Sequence, residues 1–185
     1  LSPMAGRFVA GVLKYLDGII ALTAPGVVSY GRLTPHRWSA AYNNLGYRGR
    51  EAALRICPVS DVSDIARAEQ FNFEFRAADA CASPYLALAA IVHAGAQGIE
   101  EKLLCPDAST EDLSLLSEEA LKARGITRLP LTLEAALQAF GSNTVVTGWF
   151  PAGFAEVYLN HKRREIEHVS GLSREQLHEA YEDAY

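Results

Sequence analysis

Residues 71–76 read Phe-Asn-Phe-Glu-Phe-Arg, a strict alternation of aromatic and polar side chains. Successive side chains of a β-strand point to opposite faces, so this period places Phe71, Phe73 and Phe75 on one face and Asn72, Glu74 and Arg76 on the other. The phenylalanine face is expected to enter the core. The opposite face then carries a carboxylate and a guanidinium about 7 Å apart along the strand. An exposed sheet face would account for that pair without any function. A second strand is read at 52–57, Ala-Ala-Leu-Arg-Ile-Cys, closed by Pro58.

Helical patterns surround these strands. Phe8, Val12, Leu16, Ile19 and Ile20 recur at three- and four-residue steps from Ser2 to about Thr23, which predicts one helix with a buried stripe ending at Pro25-Gly26. Gly11 and Gly18 on it point to close packing against a neighbour. Ser83-Pro84 opens a nearly all-apolar helix to about residue 98, with Ser83 as its N-cap. That helix is expected to be central and buried, with His93 a hydrogen-bonded core residue. Residues 27–48 follow neither period. A stretch of about twenty such residues inside a domain is uncommon and usually functional. After a polar loop at 101–114, helices are predicted at roughly 116–124, 131–140, 143–149, 151–169 and 174–184, Thr132 capping the second. Lys162, Arg163, Arg164, Glu165 and Glu167 read as a solvated helix face.

The resulting fold class is α+β: a small antiparallel sheet from residues 50–76, backed by helices 4–23 and 84–98, then a helical C-terminal region. Residues 1–100 and 101–185 are expected to be two parts of the same domain. With 185 residues, 49% apolar and 21% charged, the chain has the composition of a globular protein. This excludes disorder and a disulfide-framework miniprotein. Cys57, Cys81 and Cys105 are widely spaced and form no CxxC pair, so they suggest neither a metal cluster nor an oxidising compartment. The apolar run from Phe8 to Val28 is interrupted by Lys14 and Asp17, so no membrane span is expected. No signal peptide is read, and a cytoplasmic location is expected.

Charge is unevenly distributed. Residues 1–100 hold nine basic and eight acidic side chains, residues 101–185 eight and fourteen, for a net charge of −5. A chain this acidic lacks the basic face that nucleic acid requires, so no nucleic-acid partner is expected. Between Lys14 and Lys102 there is no lysine but seven arginines: Arg32, Arg37, Arg48, Arg50, Arg55, Arg67 and Arg76. Guanidinium grips phosphate or carboxylate through two parallel hydrogen bonds, whereas ammonium is a point charge. Compositional bias would explain the excess equally simply. No phosphate-binding glycine loop, dinucleotide fingerprint, HExxH or GxSxG segment is present.

The arginines and Glu74 lie in segments that resemble the glutamine synthetase family. Ser29-Tyr30-Gly31-Arg32-Leu33-Thr34-Pro35 is similar to its SYxRLxP segment, and Arg50-Glu51-Ala52-Ala53-Leu54-Arg55-Ile56 to NRxAxxRI, with Gly49 in place of the usual asparagine. Phe73-Glu74-Phe75-Arg76, Asp79 and Ser83-Pro84-Tyr85-Leu86 resemble IExRxxDxxxNPYL. Ala94-Gly95 with Gly98-Ile99 is similar to AGxxGI. Leu129-Pro130, Leu133 to Leu137 and Lys162-x-x-Glu165 continue the same order to the tail.

The resemblance implies an ATP-dependent ligase that phosphorylates the γ-carboxylate of glutamate and lets ammonia or an amine displace phosphate. Such chemistry needs divalent cations, Mg²⁺ or Mn²⁺, on the phosphates and guanidiniums to offset developing charge. By resemblance, Arg32 and Arg76 hold glutamate, Arg50 lies near the transferred phosphate, and Arg55 meets the nucleotide phosphates. Glu74 is a metal ligand. The family carries a glutamate six residues after the first of these arginines, serving ammonium; here it is Trp38. An aromatic ring cannot take that proton but can wall in or stack on a larger amine, which makes an organic amine the expected acceptor. Glu69 and Asn72 replace a lysine and an arginine of the family pattern. The family's N-terminal domain and most of its metal-binding glutamates have no counterpart in the sequence, so this chain alone is expected to be inactive, completed by a missing N-terminal part. The resemblance also implies a homo-oligomer with active sites between subunits. A non-catalytic scaffold or regulatory relative is the alternative. A guanidino kinase sharing the fold is disfavoured by the SYxRLxP and NPYL-like segments.

Overall fold

The computed structural model describes residues 1–59 and 63–182. The first helical pattern forms two helices, α1 (Pro3–Lys14) and α2 (Leu16–Thr23), separated at Tyr15. Ser2 caps α1 by accepting the Ala5 amide at 3.2 Å, and Pro3 takes the first turn, where its missing N–H costs nothing. Tyr15 leaves the helical path with its ring edge-on to Trp149 and its hydroxyl donating to Glu101. The sequence pattern predicts a single helix through residue 23. The aromatic contact and the hydroxyl bond accompany the break.

Three strands follow: β1 (Tyr42–Tyr47), β2 (Ala52–Ile56) and β3 (Phe73–Phe75). The sheet is mixed rather than purely antiparallel. β2 and β3 are antiparallel, as the sequence predicts, but β1, which lies in the run without periodicity, pairs with β2 in parallel. Parallel neighbours usually need a crossover of a dozen residues or more. Here residues 48–51 suffice, with Arg48 at φ +64° turning the chain back. Gly46 permits the close approach, since a Cβ there would lie 2.4 Å from Ala52 Cβ. Phe73 and Phe75 are half-buried against the core. Phe71 lies outside the strand, exposed, and meets Phe73 edge-on. A short helix, α3 (Asp64–Gln70), precedes it.

The apolar helix predicted after Ser83 is α4 (Pro84–Glu100), with Ser83 at the N-cap position but making no side-chain capping bond. It packs on α1 through glycines. It is not fully buried, however: Tyr85, Leu88 and Val92 form an exposed stripe at 86%, 63% and 49%. His93 is likewise exposed rather than in the core, stacked on the Trp149 ring at 5.7 Å. Residues at i, i+3 and i+7 share one helix face, and no described element covers this one.

The C-terminal helices are α5 (Glu118–Ala123), α6 (Leu133–Ser142), α7 (Thr144–Thr147), α8 (Phe154–Val169) and α9 (Arg174–Glu182). Thr132 caps α6 through the Ala135 amide as predicted. The expected extension of α9 to residue 184 falls partly outside the described residues. Leu133, Ala136, Leu137 and Phe140 of α6 join Val9, Val12, Leu16, Ile19 and Ile20 in one core. The α8 charge run is not uniformly solvated, because Lys162 is 5% exposed and bonded to Glu165 at 2.6 Å. The three cysteines are free thiols. No helix among the described residues is long and apolar enough to cross a membrane.

Candidate active-site wall

Strand register assembles the centre of the site. Antiparallel pairing sets Arg55 of β2 opposite Glu74 of β3, and Arg76 follows Glu74 on the same strand face. Both guanidiniums reach the carboxylate: Arg55 Nη1 to Oε2 at 2.9 Å and Arg76 Nη1 to Oε1 at 2.5 Å. Arg55 first, with Arg76 adding its field, holds the Glu74 carboxyl below the usual carboxylate range against the opposing effect of desolvation. Glu74 is therefore ionised over the ordinary working range.

Arg76 is also a mechanical hub. Its Nε donates to the Arg50 carbonyl at 2.7 Å and its Nη2 to the Trp38 carbonyl at 2.6 Å. Three segments are thus tied by one planar group, a geometry a lysine could not reproduce. Arg55 similarly donates from Nε to the Arg48 carbonyl at 3.1 Å. The Arg50 guanidinium lies 5.0 Å above the Trp38 ring, within cation–π range. Trp38 itself is 69% exposed. His36 and Trp38 adopt φ of +61° and +54°, uncommon for non-glycine residues and most so for bulky ones. The bend is held from outside: His36 meets Ser114 Oγ at 3.2 Å, and Arg76 holds the Trp38 carbonyl.

Arg32 sits apart. Its Nη1 donates to Ser39 Oγ and to the Arg76 carbonyl, and its Nη2 to the Ala78 carbonyl at 2.8 Å. Its Nε is buried with no hydrogen-bond partner. Burial pulls its pKa down, although Asp79 partly opposes this. Arg32 is thus committed to the protein rather than to an open surface, reaching the Glu74 cluster only through the backbone of Arg76. Sequence reasoning missed Ser39, its buried acceptor. It also missed Cys57, whose Sγ lies 4.0 Å from Glu74 Oε2. Neither follows a pattern visible in the chain; both depend on folding.

Glu74 does not make a cation site with its neighbours. Each of its oxygens already accepts a guanidinium, and among the described residues no three His, Cys, Asp or Glu side chains cluster to hold a metal. This chain alone does not fit Mg²⁺ or Mn²⁺. An open cleft of about 800 Å³, bounded by Lys14, Asn44, Cys105 and Arg124, has none of the expected site residues on its wall.

A mixed sheet that presents paired guanidiniums around one carboxylate, backed by a glycine-packed helix pair, belongs with known proteins. Residues 1–181 match the family described as "Glutamine synthetase, catalytic domain". The chain belongs to that family. It is 36% identical, over its whole length, to the γ-glutamylpolyamine synthetase GlnA3 of Streptomyces coelicolor, covering 39% of that protein. It is 34% identical to a glutamine synthetase of Staphylococcus epidermidis, with 98% of this chain and 40% of that protein covered. Among solved structures, a "novel glutamine synthase homolog" superposes with a TM-score of 0.82 at 41% identity, covering 100% of this chain and 39% of the other. A GmaS/ADP complex gives 0.73 at 28% identity, covering 94% and 38%. The chain therefore spans about two fifths of the length of the curated relatives it matches.

Proposed function

We propose that this chain is the arginine-bearing wall of an ATP-dependent γ-glutamyl ligase whose acceptor is an organic amine. The observation that carries the reading is Glu74 fixed between Arg55 and Arg76, with Arg50 over the exposed Trp38 ring beside them. In the reaction, a γ-carboxylate oxygen of glutamate attacks the terminal phosphorus of ATP and ADP leaves. The amine nitrogen then attacks the acyl carbon, phosphate leaves, and the nitrogen gives up a proton. Arg50 would face the transferred phosphoryl group, since its guanidinium is exposed and, among the described residues, rests on an aromatic face alone. Arg55 would meet the nucleotide phosphates, and Arg32 and Arg76 would fix glutamate. Guanidiniums placed before the reaction stabilise developing charge without reorganisation.

Donors for Mg²⁺ or Mn²⁺ would come from the rest of the protein, and Glu74 would join them only by giving up one of its two guanidinium partners. Residues 1–100 and 101–185 are proposed as parts of one domain, supported by the core that α2 shares with α6. Assembly as a homo-oligomer and a cytoplasmic location are proposed on family membership. The similarity to a protein named γ-glutamylpolyamine synthetase supports an acceptor larger than ammonia.

The test is glutamate-dependent ADP release by the complete polypeptide with ammonia, short and long monoamines, and polyamines. An organic amine is expected to exceed ammonia in kcat/KM, and Trp38→Glu to shift that ratio toward ammonia by about tenfold. Preference for ammonia in the unaltered protein would refute the acceptor assignment. The commitment of Arg32 to Ser39, Arg76 and Ala78 favours a second reading, a non-catalytic relative. No turnover with any amine would favour it over the ligase.

A further inference from the structure

The C-terminal helix α9 reaches back to the segment that leads into Arg32. Tyr181, near the end of α9, accepts a hydrogen bond from the Val27 amide at 2.9 Å and donates one from its hydroxyl to Glu165 Oε1 on α8. The other oxygen of Glu165 takes Lys162 Nζ at 2.6 Å. The Tyr181 ring also presses on Gly26, where a Cβ would stand 3.0 Å from ring Cε1. One phenol therefore joins two helices to residues 26 and 27.

Those residues open the 3-10 turn Val27–Gly31, which ends at Arg32 with the Arg32 amide bonded to the Ser29 carbonyl at 3.2 Å. From there the Arg32 guanidinium ties together Ser39, Arg76 and Ala78. A terminal helix that only needed anchoring could do so with apolar contacts. Burying an ammonium and a carboxylate instead carries a desolvation cost that stability alone does not explain. What a hydrogen-bonded polar group adds over an apolar one is directional placement of what it touches.

We propose that Tyr181 is a positioning residue for the glutamate end of the site, acting through Val27 and the 27–31 turn to set Arg32. Its kinetic consequence rests on the ligase reading, whereas the link from α9 to the turn does not. Tyr181→Phe keeps the ring and removes the hydroxyl. In the complete protein it is expected to raise KM for glutamate about three- to tenfold, with kcat and KM for ATP within about twofold. In the 185-residue chain, amide exchange at Val27 is expected to speed up by about tenfold. Gly26→Ala, which pushes the ring from the other side, should give the same signature.

An unchanged KM for glutamate, or an equal rise in KM for ATP, would overturn the positioning role. Unchanged exchange at Val27 would overturn the link itself. If the unaltered protein turns over no amine, the ligase reading falls, and the exchange measurement still decides the link.

Discussion

Gly11→Ala isolates the contact on which the helical half of the molecule rests. α1 crosses α4 where Gly11 faces Ala94 and Gly98, and a Cβ at Gly11 would lie 2.2 Å from the Ala94 carbonyl oxygen. It would also lie 2.7 Å from Gly98 Cα and from Gly98 N, whereas ordinary contact begins at 3.4 Å. Two effects compete. Alanine is a better helix former than glycine by about 1 kcal/mol. Overfilling a packed site costs about 1–3 kcal/mol, and the upper end applies because the atoms in the way are backbone, which no side-chain rotation can move aside. The steric effect wins, leaving a net loss of about 2 kcal/mol. For a chain of this size that lowers the melting temperature by roughly 4–8 °C. Thermal unfolding of the 185-residue chain followed by circular dichroism reads this directly. Gly49→Ala is the control: a Cβ there meets nothing within 4 Å, so its change should stay within about 0.5 kcal/mol. A Gly11→Ala chain as stable as the parent, or more stable, would refute the close crossing.

Two further outcomes follow from charged pairs. Because its folded pKa is depressed, Glu74 contributes stability above the ordinary carboxyl value of 4.5 that is lost as pH falls through the depressed value. The stability gap between the parent and Glu74→Gln should therefore be present at pH 7, shrink once pH falls below the ordinary carboxyl value and close past the depressed one, as read by urea unfolding. With the Glu74 side chain 40% exposed, that gap should be about 1 kcal/mol or less. Lys162→Met, by contrast, removes one partner of a buried pair and should cost about 3 kcal/mol at pH 7 by the same assay. A neutral result would mean that the Glu165–Tyr181 bond alone satisfies the carboxylate.

What was legible in the sequence is what local periodicity and capping control. The Phe-polar alternation located β3, and the register to β2 turned Arg55 and Glu74 into a pair. Thr132, Pro84 and the apolar repeats placed the long helices. β1 was not legible because nothing in Tyr-Asn-Asn-Leu-Gly-Tyr alternates. Its buried Asn44 donates from Nδ2 to Ser109 Oγ at 2.7 Å, 65 residues away, while its Oδ1 finds no partner among the described residues, so the polar residue that argues against a buried strand is half satisfied, and by a group no local window contains. Lys162 follows the same logic: in isolation α8 is an amphipathic surface helix, and only the folded chain buries one of its cations. The bare face of α4 was hidden by the opposite error. An all-apolar helix implies burial all round, and that inference holds only if every neighbour is present.

The inward orientation of Arg32 changes what the arginine excess means. Arg32 bonds Ser39 and the carbonyls of Arg76 and Ala78, Arg76 bonds Glu74 and the carbonyls of Arg50 and Trp38, and Arg128 donates to the carbonyls of Ala41 and Leu33. Arg32 serves the Ala78 carbonyl and Arg128 the Leu33 carbonyl, backbone oxygens of connecting segments, whose pairing is an obligation every irregular segment must meet. A guanidinium meets it while keeping its charge, because it has five donors in a fixed plane. The same plane can present its remaining N–H groups to an anion. Arg50 differs: its exposed guanidinium rests on an indole ring, with no hydrogen bond among the described residues that the proposed phosphate contact would have to break. Arg32, Arg55 and Arg76 therefore build the wall, whereas Arg48 and Arg50 lie exposed over the Tyr47 and Trp38 rings. Arg50 is therefore the position where the proposed phosphate contact and fold stability separate.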